Sequence, residues 1–92
     1  MFASTENKGF QIGFQNGWTI SVQFGYGNYC DNGHHPEGFN FSKQQDIVSS
    51  SDAEIAIWDS EGNWYNFGTD TVKGYWSADE VAEWITKTQQ MK

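Results

Sequence analysis

The 92-residue chain contains no leucine and no arginine, one proline and one cysteine. Each shortage narrows the reading. Helical bundles rely on Leu and Ala. A chain whose apolar residues are Trp, Phe, Tyr, Ile and Val favours strands, where wide, stiff side chains pack well on a pleated face. One cysteine excludes an intrachain disulfide, whereas short extracellular domains commonly carry several. No apolar run approaches the length of a membrane-spanning helix, and the first residues form no basic-then-apolar leader. A reducing cytoplasm is therefore the expected location. With five lysines against twelve acids, the net charge is −7. The clustered cations that neutralise a nucleic-acid backbone or meet an anionic membrane are missing, so neither is an expected partner. A basic partner fits this balance, and so does acidity that serves solubility alone.

What is present is aromatic. Seven Phe, five Trp and four Tyr accompany ten glycines, which suit tight turns between strands. The length suits one domain, residues 1–92. Residues 1–9 are polar, unpatterned and expected to be loose. Phe10, Ile12 and Phe14 then alternate with Gln11 and Gly13, and Trp18, Ile20, Val22 and Phe24 alternate with Thr19, Ser21 and Gln23. This is strand periodicity, and the Asn16-Gly17 between the two runs favours a type I′ turn. Residues 25–52 hold no period and read as a long loop, with a short strand expected near Gly38–Phe41. Ile55 and Ile57 restore the alternation over Ala53–Trp58, Asp59–Asn63 reads as a turn, and Trp64–Phe67 as the returning strand. A further turn is expected over Gly68–Lys73, with Val72 and Tyr75 near a short strand.

The helix start is the sharpest local signal. Ser77-Ala78-Asp79-Glu80 is a capping box, with Trp76 and Val81 at the two positions of a hydrophobic staple. Val81, Trp84, Ile85 and Thr88 fall on one stripe, which predicts a helix over 78–89. The expected fold is thus α+β: an antiparallel sheet of four to five strands, made of two hairpins, with one C-terminal helix on one face.

No constellation of residues amounts to an active site. Cys30, Asp31, His34 and His35 are zinc-ligand types, but their spacing fits no closed site and no second ligand pair exists. Asp59, Glu61, Asn63 and Asp70 mimic positions one, three, five and twelve of a calcium loop, yet position six must be Gly and is Trp64. Gly25-Tyr26-Gly27 lacks the helix that would present amides to a phosphate. Neither metal nor cofactor is expected, and the chain is not read as an enzyme.

Charge and aromatics leave a surplus that needs placing. Residues 46–83 hold nine acids against one lysine, a net of −8, while 1–45 are −1 and 84–92 are +2. One helix covers only part of a sheet, so Tyr26, Tyr29, Phe39, Phe41, Trp58, Trp64 and Tyr65 either form a second small core or an exposed patch. Trp and Tyr are enriched at interface hot spots. The first expectation is a binding surface, with Asp52, Glu54, Asp59, Glu61 and Asp70 steering a basic partner and Trp58, Trp64 and Tyr65 anchoring it. A second is a small-molecule site in which Tyr26, Tyr29, His34 and Phe39 stack a planar ligand such as a nucleotide. A structural or assembly role is a third, and homodimerisation through a sheet edge or aromatic face is compatible with all three.

The segments GFQNGWTISVQFGYGNYCDN, AEIAIWDSEGNWYNF and VKGYWSADEVAEWI, which span most of residues 10–86, resemble small accessory proteins of tailed bacteriophages. The resemblance carries no catalytic residues with it. It implies a protein acting in the host cytoplasm by binding a host factor, a group that includes inhibitors of bacterial defence systems.

Overall fold

The computed structural model describes residues 1–6, 8–25, 28–31 and 49–92. Five strands lie side by side in chain order, each antiparallel to the next: β1 (Phe2–Ser4), β2 (Gly9–Gly13), β3 (Thr19–Gln23), β4 (Ala53–Trp58) and β5 (Val72–Trp76). The single helix among the described residues, α1 (Ala78–Gln89), packs across β3 and β4. This is the expected α+β arrangement. The strand expected near Gly38–Phe41 lies outside the described residues.

The period-2 pattern decides what meets the helix. Ile20, Val22, Ile55 and Ile57 stand in register on one face and, with Ala53 and Val81 of α1, form the buried core. Ile20, Ile55 and Ile57 have no solvent exposure, and truncating one such side chain typically costs about 2–5 kcal/mol. The helix is secured at its start as the sequence predicts. Ser77 Oγ accepts from Glu80 N–H at 3.2 Å while Glu80 Oε1 accepts from Ser77 N–H at 3.0 Å. Val81 and Thr88 of the predicted stripe are buried, and Trp84 and Ile85 are half-buried.

Three expectations need correction. Residues 1–9 are not all loose: β1 pairs with β2, placing Phe2 opposite Ile12 and Ser4 opposite Phe10. Its three residues are too few to show a period, and pairing to β2 holds it in place. The β2–β3 turn is not type I′, because Asn16 keeps an ordinary negative φ. Phe14 N–H donates to Trp18 O at 2.9 Å and Gly17, at φ +90°, donates to Phe14 O at 3.1 Å. That is a three-residue loop closed by a glycine in the left-handed region. The same geometry recurs after β4, where Asp59 N–H meets Asn63 O and Gly62 (φ +84°) meets Asp59 O.

The third correction concerns the second hairpin. Trp64 bridges Trp58, and Tyr65 N–H donates to Ile57 O at 2.7 Å, so the return begins where expected. It then breaks off. Phe67 N–H closes a turn on Asp70 O at 2.9 Å, and the regular strand resumes only at β5, with Val72 opposite Ala56 and Trp76 opposite Ala53. The edge of β4 is therefore shared by two pieces of chain, with residues 66–71 as an excursion between them. The excursion brings Phe67 next to Tyr65, Trp76 and Trp84 beneath the helix, with ring centroids 5.1, 5.6 and 5.1 Å away.

Candidate functional site

Alternation sends Thr19, Ser21, Gln23, Glu54, Ala56 and Trp58 to the face opposite the helix. The register pairs them across β3 and β4 as Thr19 with Trp58, Ser21 with Ala56, and Gln23 with Glu54. Trp64, bridged to Trp58, joins that face at the tip of the second hairpin. The two indoles lie with centroids 5.4 Å apart and planes inclined by 32°. Trp64 remains 51% exposed. An exposed tryptophan braced by a second one is a preformed apolar anchor.

The adjoining turn carries charge held in a fixed position. The Asp59 carboxylate accepts the N–H groups of Asn63 and Glu61, both at 2.9 Å, and Asn63 Nδ2 at 3.3 Å. The Asn63 N–H is the largest influence and holds the Asp59 carboxyl below its ordinary value of 3.8, with desolvation opposing and the Glu61 N–H assisting. Glu61 is exposed at the crest of the same turn. Asp70 is exposed at the far end of the 66–71 excursion, where its backbone carbonyl receives Phe67.

The remaining expected binding residues are placed elsewhere. Tyr65 turns to the helix face, where its ring meets Trp18 edge-on at 6.4 Å and Trp84 at 5.7 Å. It is part of the aromatic core. Asp52 and Glu54 stand at the start of β4, roughly 20 Å along the chain from Asp59 at about 3.3 Å per residue. Asp52 Oδ1 accepts Asp31 N–H at 2.7 Å, and Glu54 Oε2 accepts Tyr29 N–H at 2.6 Å. These carboxylates fasten the 28–31 segment to the sheet. Ser51 Oγ donates to the Asp31 carboxylate, and Tyr75 N–H donates to Tyr29 O at 2.8 Å. Gly74 is required beneath this segment, because a Cβ there would collide with the Tyr29 side chain and carbonyl.

Of the residues expected to stack a planar ligand, Tyr29 has an exposed ring, whereas Tyr26, His34 and Phe39 lie outside the described residues. Phe41 and His35 also lie outside them. Cys30 is buried with its thiol directed at Gly25 O, 3.7 Å away. Among the described residues no group of three or more His, Cys, Asp or Glu is placed to hold a metal ion. Among them, too, no helix is long and apolar enough to cross a membrane.

Of the residues expected to bind, Trp58, Asp59, Glu61 and Trp64 come together at the hairpin tip, whereas Asp52 and Glu54 fasten the 28–31 segment. The signal that separates them is parity along β4: Trp58 faces away from the core, so its bridge partner Trp64 does too, and Tyr65 must turn inward. No family model matches the chain, and comparison with curated proteins and with solved structures returns no match.

Proposed function

We propose that the protein is a non-enzymatic binding protein that docks the tip of its second hairpin onto a basic surface of another protein. The observation that carries this reading is the Trp58–Trp64 pair, half-exposed and braced ring to ring beside the Asp59–Glu61 turn. Tryptophan is among the residues most often found to dominate interface energy. A side chain already held by its neighbour loses less rotamer freedom on binding. The surrounding acids contribute attraction at a distance, which raises the association rate and selects a cationic partner. The phage resemblance of the sequence supports a partner in the bacterial host cell. Asp59 acts mainly by shaping the turn, while Glu61 and Asp70 supply freely solvated charge.

The test is affinity capture from bacterial lysate with the immobilised chain, run in parallel with Trp64→Ala and with the double variant Glu61→Lys, Asp70→Lys. The expected result is a discrete basic protein retained by the wild-type chain and lost with both variants. Retention undiminished in both variants, or no retained protein at all, contradicts the proposal.

A further inference from the structure

The helix face holds a second feature, unconnected with the hairpin tip. Between α1 and the ends of β2 and β3 lies an open cleft of about 350 Å³. Phe10, Val22 and Phe24 line its sheet side, and Val81 and Ile85 its helix side. Two alanines explain the space. Ala78 and Ala82 lie one helical turn apart on the flank of α1 that borders the cleft, and neither is long enough to fill it. The segment Ser49–Asp52 forms its polar rim.

That rim contains an unmatched group. Ser50 Oγ is shielded from solvent and has no hydrogen-bond partner among the described residues. Its neighbour Ser51 is bound to the Asp31 carboxylate. Buried hydroxyls are nearly always paired, so an orphan beside a cleft marks a missing partner. Ser50 itself lines the cleft, and pairing with a ligand there requires its Oγ to move to another staggered position of χ1.

We infer that the cleft is a binding site for an uncharged, mainly apolar small molecule bearing one hydrogen-bonding group, which pairs with Ser50. The volume falls at the small end of ligand pockets, the size of one or two fused rings. Charge decides the class. Asp52 at the rim and a net charge of −7 repel a carboxylate or phosphate. A cation would lose its hydration against phenylalanine, valine and isoleucine walls. A neutral alcohol, phenol or amide escapes both penalties and satisfies the orphan hydroxyl.

The experiment is an amide-resolved NMR titration of the full chain with 1-naphthol, naphthalene and 1-naphthoate. Naphthol is expected to shift the amides of Val22, Val81 and Ile85, with naphthalene about fivefold weaker for want of one hydrogen bond and naphthoate without effect at the same concentration. Ser50→Ala should make naphthol and naphthalene bind alike. Ala82→Leu, an exposed helix position given a strong helix former, should fill the cleft and abolish the shifts. Trp64→Ala should leave them intact, which separates this site from the hairpin tip. No shifts with naphthol would leave solvent as the cleft's only occupant and overturn the inference. Equal wild-type affinity for naphthol and naphthalene would do the same, as would binding that survives Ala82→Leu.

Discussion

Asn16 sits in the loop between β2 and β3, yet its side chain serves the other end of the chain. Nδ2 donates to the carbonyls of Thr88, Gln89 and Met91 at 2.8, 3.1 and 2.9 Å, while Oδ1 accepts Trp18 N–H at 3.0 Å. The last carbonyls of a helix lack intrahelical donors, and here a hairpin loop supplies one. Asn16→Ala should lower stability by about 1–2 kcal/mol, read as a lower Tm. Asn16→Asp should cost more, because a carboxylate would face three carbonyl oxygens. The sequence marks Asn16-Gly17 as a turn, but nothing local announces a tether whose acceptors lie more than seventy positions away. Asp59 is the second residue with a definite prediction. Its folded pKa is lowered, so its contribution to stability is present above the ordinary value of 3.8 and is lost as pH falls through the lower folded value. The Glu61 and Asn63 amides should titrate with a midpoint below 3.8, and Asp59→Asn should remove that titration. A midpoint at or above 3.8 would contradict the hydrogen-bond geometry.

At the scale of elements, the strands with clean alternation and the helix with its capping box were legible because their causes are local. The Ser77–Glu80 reciprocity needs only four consecutive residues. Ser77→Ala should cost about 1 kcal/mol, measurable by chemical denaturation. β5 was harder to read. Its partner residues on β4 are Ala53, Ile55 and Ala56, and the bulge between Ala53 and Ile55 spoils any simple period. Tyr75, at φ +59°, departs from strand geometry at that place. The clue that remained in the sequence was Gly74, where any Cβ would collide with the side chain and carbonyl of Tyr29. Gly74→Ala should push the 28–31 segment away and release Glu54 and Asp52 from their amide partners. Hydrogen exchange at the Tyr29 and Asp31 amides would accelerate, while the β2–β3 amides would stay protected. Unchanged exchange at Tyr29 would show that the segment is held by other means.

At the scale of the molecule, aromatic residues among those described stand on both faces of one sheet. Trp18, Tyr65, Phe67, Trp76 and Trp84 pack edge-on or tilted beneath and beside the helix, extending an aliphatic core that contains no leucine. Each such ring pair adds about 0.5–1.5 kcal/mol beyond its buried area. Trp58 and Trp64 are left on the opposite face. The acids divide as well: Asp52 and Glu54 secure a loop, Glu80 caps the helix and Glu83 pairs with Lys87 at 3.1 Å. Glu61, in the turn that precedes Trp64, and Asp70, in the 66–71 excursion, remain exposed to solvent. Composition could count aromatics and acids, but only the register of β4 and the 66–71 excursion could sort them. The proposed docking of the tip on a cationic protein rests on Trp64 and the acids of the adjoining turn. Its most direct test is calorimetric titration of the captured partner at low and at moderate salt, with wild-type and Trp64→Ala chains. Affinity should fall as salt rises, and Trp64→Ala should cost more than about 1 kcal/mol at both salts. Affinity indifferent to salt and unchanged by Trp64→Ala would contradict it.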